Sequence, residues 1–263
     1  MMYSLQESLF QVPPLLVVVV FFIIIFFLNW VGYKARAHIE RQHPDKDVSI
    51  GTAEGSLLGL MALLLAFSFS MAATKFETRR QAIVEEANIM NDAILRCDLY
   101  PDSVKRSLLP HFRQYVEARI QYFEAADDPG KIKASLDSSR QNFELIWNKT
   151  VLLETNQELR WRTEKIIPVL INMNNVVTTR DAGRVAAVPM LIIIVLHMLV
   201  FVAAFLTGFG IKPGHRNPFL SMAFAFMTSA VLYLVMELGR PRQGYINLQN
   251  AQEKIVELRR LFN

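Results

Sequence analysis

The chain has 263 residues, 52% of them hydrophobic and 20% charged, with a formal net charge of +4. That length holds four membrane helices and one helical lobe but not a second catalytic domain. The single cysteine, Cys97, excludes an intrachain disulfide, the scattered histidines show no zinc-ligand spacing, and the basic residues interleave with acids, so no metal, cofactor or nucleic-acid partner is expected.

In chain order, the first feature is an apolar run over residues 12–28. No Lys or Arg precedes it, Pro13 and Pro14 open it, and no small-residue cleavage site follows, so it does not read as a cleaved signal peptide. Trp30, Tyr33 and Lys34 follow instead, as interfacial anchors do. Further runs cover 55–73, 186–209 and 219–236. Each approaches or exceeds the roughly 20 residues that a helix needs to cross a bilayer core about 30 Å thick. The expected class is an all-α polytopic membrane protein with a 2 + 2 layout. Residues 1–74 hold helices one and two, 75–185 a cytosolic helical lobe, 186–239 helices three and four, and 240–263 a cytosolic amphipathic tail.

The second run opens at Gly51 with Glu54 in its first turn, where a carboxylate suits the helix dipole. Residues 60–98 contain no Pro or Gly and read as one rod about 60 Å long. Beyond Thr74, Ile83, Ala87, Met90, Ile94 and Cys97 alternate at spacings of four and three, a narrow packing seam on which Cys97 is a packing residue rather than a redox switch. Tyr100-Pro101-Asp102 breaks the rod and starts a helix striped by Leu109, Phe112, Val116, Ile120 and Phe123. Asp127-Asp128-Pro129-Gly130 is a turn. Two more helices carry Leu136, Phe143 and Trp147, then Leu159, Ile166, Leu170, Met173 and Val177, the latter with a kink expected at Pro168. Asp181-Ala182-Gly183-Arg184 reads as punctuation before the third membrane run. After the fourth run, residues 237–244 read as an exit and turn, and 248–262 as a short amphipathic helix with Ile255, Leu258 and Phe262 on one side.

No phosphate loop, nucleophile elbow or metal-binding helix pair is present, so an enzyme is not expected. Three groups of residues are candidates for chemistry. Glu85, Glu86, Asn88, Asn91 and Asp92 form an acidic group that could hold a cation; the plainer reading is a salt-bridged polar helix face. His197 falls in mid-membrane, where an ionisable group is a functional candidate, the alternative being a neutral ring bonded to Ser221, Thr228 or Ser229 of a neighbouring helix. Gly59, Leu63, Phe67, Ser70 and Thr74 share one face of the second helix. Around an oligomer axis that face makes an apolar constriction, able to gate by dewetting, that turns polar towards the cytoplasm. Otherwise it is a lipid- or helix-facing stripe.

The stretches GLMALLLAFSFS from Gly59, KFETRRQ from Lys75 and VEEAN from Val84, with Leu99-Tyr100-Pro101 and Arg240-Pro241-Arg242-Gln243-Gly244, resemble the bestrophin-like domain family of mainly bacterial membrane proteins. The resemblance spans nearly the whole chain. It implies a layout similar to that of bestrophins: four membrane helices, cytosolic termini and helical region, and a pentameric pore lined by the second helix. On that likeness Gly59, Leu63 and Phe67 correspond to the neck, and Lys75 and Phe76 to the basic-aromatic pair that follows it. The aromatic-rich exit and calcium clasp of bestrophins have no counterpart here.

The function expected first is an oligomeric ion channel in the plasma (inner) membrane, partnered by lipid, small ions and further copies of the chain. Glu54 at its outer mouth would form a carboxylate ring that favours cations. The second reading is a non-conducting sensor or scaffold whose cytosolic lobe binds a partner protein. A carrier fits less well, since no membrane segment is broken at mid-depth. Orientation follows from Lys and Arg placement: Lys75, Arg79, Arg80, Arg180, Arg184, Arg240 and Arg242 near the membrane on one side, against Lys34, Arg36, Arg41, Lys46, Lys212 and Arg216 on the other, put both termini and the 75–185 insert inside. Protease added outside intact cells should therefore leave the insert uncut; fragments cleaved within 75–185 would reverse the assignment.

Overall fold

The structure, a computed structural model, describes residues 14–42, 51–126, 128–185, 189–239 and 246–262. Among these residues the chain is helical throughout, with eight α-helices and no strand. They are α1 (Pro14–Gln42), α2 (Gly51–Arg96), α3 (Asp102–Glu124), α4 (Pro129–Leu152), α5 (Arg160–Val185), α6 (Met190–Phe209), α7 (Pro218–Leu238) and α8 (Gln249–Val256). The chain divides into two compact units. One holds α1, α2 up to Lys75, α6 and α7; the other holds α2 from Phe76, α3 to α5 and α8.

In the first unit, four helices are long and apolar enough to cross a membrane, matching the four predicted runs. In α2 the apolar, membrane-length part is 55–73, and the charged remainder lies beyond it. Helix α1 is longer than its apolar run. It continues through 34–42, beyond the interfacial anchors, because that stretch is rich in helix formers and Arg36 pairs with Glu40 one turn on at 2.7 Å. The core joins Ile25 of α1, Met61 and Leu65 of α2, Leu196, Val200, Ala203 and Ala204 of α6, and Ala225 and Leu232 of α7.

Helices α1 and α6 cross with their backbones in contact. A Cβ on Gly32 would collide with the Phe205 carbonyl, and one on Gly208 with the Asn29 carbonyl. Small residues permit this approach, and in lipid close packing replaces the hydrophobic effect as the associating force. Asn29 Nδ2 donates to Thr207 Oγ1 at 3.2 Å beside the crossing. The buried Arg36 then closes the end of α6, its Nη1 donating to the carbonyls of Phe209 (3.2 Å) and Gly210 (2.7 Å). Those carbonyls have no partner within the helix, and the cation also meets the negative end of its dipole. Asn217 caps α7 through the Phe219 amide at 3.0 Å, with Pro218 in the first turn.

In the second unit the seam residues Ile83, Ala87, Met90, Ile94 and Cys97 are all buried against α3, α5 and α8. Leu108, Phe112, Val116 and Ile120 of α3 and Ile166, Leu170 and Met173 of α5 complete the core. Tyr100, extended ahead of Pro101, is buried, and its hydroxyl donates to Thr163 at 3.1 Å. Asp128 caps α4 through the amides of Gly130 (2.9 Å) and Lys131 (3.1 Å); Asp127 lies outside the described residues. Pro168 sits exposed within α5, where its ring meets solvent. The punctuation expected at 181–184 is absent, since α5 runs on to Val185. There the Gly183 carbonyl accepts from Arg79 Nε at 2.9 Å and Asp181 from the Tyr122 hydroxyl at 2.9 Å, so packing holds the turn helical. The tail is α8 followed by a 3₁₀ segment, Glu257–Phe262, with Ile255 and Leu258 buried.

The glycine crossing gives a direct test. Gly208→Ala should destabilise the detergent-solubilised protein by the upper end of the about 1–3 kcal/mol typical of overpacking. Gly55→Ala, whose added carbon meets nothing within 4 Å, should stabilise or leave the melting temperature unchanged.

Candidate functional site

The predicted pore face is an exposed stripe of the first unit. Gly59, Leu63, Phe67, Ser70 and Thr74 are all exposed, with Leu63 at 52% and Phe67 at 61%. The opposite face of the same helix, Met61, Leu65, Ser68 and Ala72, is buried. The helical period of 3.6 residues separates the two sets. Thr74 Oγ1 donates to the Ser70 carbonyl at 2.9 Å, which keeps a hydroxyl oxygen on the stripe at its polar end.

Glu54 lies elsewhere. It belongs to the buried side of α2, with its carboxylate against Gly210 at the end of α6 and in the field of Arg36. The sequence suggested a free carboxylate at a pore mouth; the structure instead joins it to the Arg36 cluster that closes α6.

His197 is half-buried between the rings of Phe21 (4.9 Å) and Phe201 (6.4 Å). Its Nδ1 pairs with the Ile193 carbonyl one turn back, at 2.6 Å. The alternative of a hydroxyl partner from the next helix is not what the structure shows: Ser229 donates to the Ala225 carbonyl of its own helix.

The acidic group divides. Neighbours in a helix are about 100° apart, so Glu85 and Asn88 are exposed, Asn91 is half-buried, and Asp92 pairs with Arg96 at 2.8 Å. Glu86 points inward and is fully buried. No group of ligating side chains able to hold a metal ion occurs among the described residues. Lys75 is half-buried, and Phe76 packs on the core of the second unit. Arg240, Pro241 and Arg242 lie outside the described residues.

Glu86 is the centre of a polar network that spacing alone did not reveal. Its Oε1 accepts from Arg119 Nε of α3, and its Oε2 from Arg180 Nη1 of α5. Arg180 Nη2 donates to Gln252 Oε1 of α8 at 2.9 Å. The Tyr122 ring lies under both guanidiniums, 4.5 Å from Arg119 and 5.3 Å from Arg180. Burial, the largest influence on Glu86, opposes its charge, but the two guanidiniums outweigh it and hold the carboxyl below its ordinary range. A signal was present in the sequence. Glu86 sits on the seam between Ile83 and Met90, Arg119 adjoins the stripe of Val116 and Ile120, and Arg180 follows Met173 and Val177 at helical spacing.

Cys97 Sγ is buried and lies 3.6 Å from the Ala93 carbonyl. Burial pushes its thiol up to about 12, so it stays protonated and unreactive at neutral pH.

Two outcomes check the network. Glu86→Gln leaves two buried guanidiniums uncompensated and should cost about 3–5 kcal/mol, seen as a lowered unfolding midpoint with loss of helical signal. A carboxyl whose pKa is lowered on folding contributes stability above its unfolded value, here ordinarily 4.5, and loses it as pH falls through the folded value. The wild type should therefore lose stability on acidification below that range, and Glu86→Gln should show a flatter acid limb.

No protein-family model and no curated protein matches this chain. Solved structures do. A bacterial bestrophin homolog from Klebsiella pneumoniae, in one single-residue variant, aligns over 92% of this chain and 98% of its own with a TM-score of 0.73 and 11% identity. A second variant gives 0.74 at 14% identity over 93% and 96%. A structure of the same homolog phased on zinc gives 0.69 at 12% identity over 90% and 97%. The chain shares the fold of these proteins.

Proposed function

We propose that this protein is an oligomeric membrane ion channel, a pentamer by the family resemblance, with the exposed stripe of α2 lining the pore. One observation carries the reading. The exposed faces of α1, α6 and α7 are large and apolar, as in Leu15, Val19, Ile23, Leu191, Met198, Phe219 and Phe226, which is what lipid tails require. The exposed face of α2 mixes small and polar residues, Gly55, Ser56, Gly59, Ala62, Ala66, Ser70 and Thr74, with Leu60, Leu63, Phe67 and Phe69 between them. Small residues let helices of neighbouring subunits approach, and hydroxyls gain from water rather than from lipid.

In this arrangement Leu63 and Phe67 form successive apolar rings that open or close by wetting, and Ser70 and Thr74 receive the ion beyond them. The fold shared with the bestrophin homolog supports the same assignment, which agrees with the second-helix pore that the family resemblance implies. Glu54, turned to the other side of α2 beside Arg36, is assigned to helix packing rather than to a selectivity ring, which removes the ground for favouring cations. The proposed orientation keeps both termini and the second unit in the cytoplasm of a bacterial inner membrane.

The test is ion flux from liposomes holding the purified protein, run with Phe67→Ala. Removing that ring should raise flux several-fold. Equal flux from the two proteins would place the pore elsewhere. An intact oligomer silent in both forms would favour the scaffold reading.

A further inference from the structure

The network around Glu86 has more donors than acceptors. Arg119 Nη1 and Nη2, Tyr115 Oη and Gln252 Nε2 are buried and have no hydrogen-bond partner among the described residues. Their side chains are closed off: Arg119 is 0% exposed, Tyr115 1% and Gln252 2%. Arg119 and Tyr115 stand one turn apart on α3, so both face the same interior. Burial pushes the Tyr115 phenol up, which keeps its proton in place to donate.

The local acceptors each already take a hydrogen. Both Glu86 oxygens take guanidinium hydrogens, Gln252 Oε1 takes Arg180, and Asp181 Oδ1 at the half-buried margin takes Tyr122. Four N–H groups of Arg119, two of Gln252 and one phenol hydrogen are therefore buried in the same unit without an acceptor. Leaving such groups unpaired in an apolar interior is costly. Within the Glu86 network, moreover, two buried guanidiniums face one carboxylate, which leaves an excess positive charge among these three groups.

We infer that the interior of the second unit binds a small monovalent inorganic anion of chloride size, held by Arg119, Tyr115 and Gln252. Water is the poorer occupant, because it brings two donors of its own into a site already rich in them. An anion brings acceptors alone and balances the charge. The near-complete burial of the three side chains excludes a lipid headgroup or nucleotide. The site belongs to the folding of the helical lobe and stands independently of the pore assignment.

The experiment is thermal unfolding of the full-length protein in detergent, in sodium bromide against sodium gluconate at matched ionic strength. Bromide should raise the melting temperature saturably. In Tyr115→Phe, which keeps every charge, the bromide concentration giving half the shift should rise roughly tenfold, the loss of one hydrogen bond to a charged partner. Crystals of the wild type soaked in bromide should show an anomalous peak within hydrogen-bond distance of Arg119 Nη. That measurement decides the matter even if Tyr115→Phe fails to fold. Equal melting in the two salts, a bromide shift unchanged in Tyr115→Phe, or density with no anomalous signal at Arg119 would each overturn the proposal, the last marking ordinary buried water.

Discussion

A carboxylate fixed between two guanidiniums constrains the helical lobe more tightly than any apolar contact in it. Leu170 could trade places with a methionine at modest cost, because packing energy is spread over many weak contacts. Glu86 has no such freedom. It sits at zero exposure with Arg119 and Arg180 on either oxygen, and each of the three comes from a different helix. Attraction inside the lobe offsets the large desolvation of these charges only when all three are in register. The seam of Ile83, Ala87 and Met90 gives α2 its place among α3, α5 and α8, and the ion network fixes its rotation and translation. Such use of buried charge for register is best attested in coiled coils.

The membrane unit solves a different problem. Its lipid-facing surface and its core are both apolar, so hydrophobicity cannot decide which face packs inward. Shape and hydrogen bonding decide instead. Gly32 and Gly208 let α1 and α6 touch, Asn29 reaches Thr207, and Arg36 closes the α6 terminus that would otherwise present bare carbonyls. Each of these would lose its purpose if α1 were turned by one residue. Glu54 joins the same end, its carboxylate against Gly210.

Much of this was legible in the sequence, for reasons that separate cleanly. Apolar length is a one-dimensional property, so the four membrane runs and the uninterrupted α2 could be read directly. The seam ending at Cys97 could be read because a period of alternating threes and fours has one geometric meaning. The partners of polar residues could not, because they depend on which helices meet. Glu85 and Glu86 look like one acidic site in sequence and face opposite ways in space. Glu54 follows helix-terminus logic locally and joins the Arg36 cluster in three dimensions. His197 has hydroxyls on another helix as one alternative in sequence and pairs with a carbonyl on its own helix in space. Arg119 and Arg180 were overlooked because cations beside apolar stripes are usually solvated, and only the carboxylate on a third helix makes their burial tolerable.

The burial of Cys97 has a practical consequence. Its thiol is enclosed at the end of the seam and held protonated, so reagents that modify thiolates from water do not reach or activate it. The natural chain is therefore already a silent background for site-directed labelling. A cysteine introduced at any position of the exposed α2 face would be the lone reactive thiol in the molecule, and the residue-by-residue accessibility of that face could be mapped without first removing a native group from a packed core.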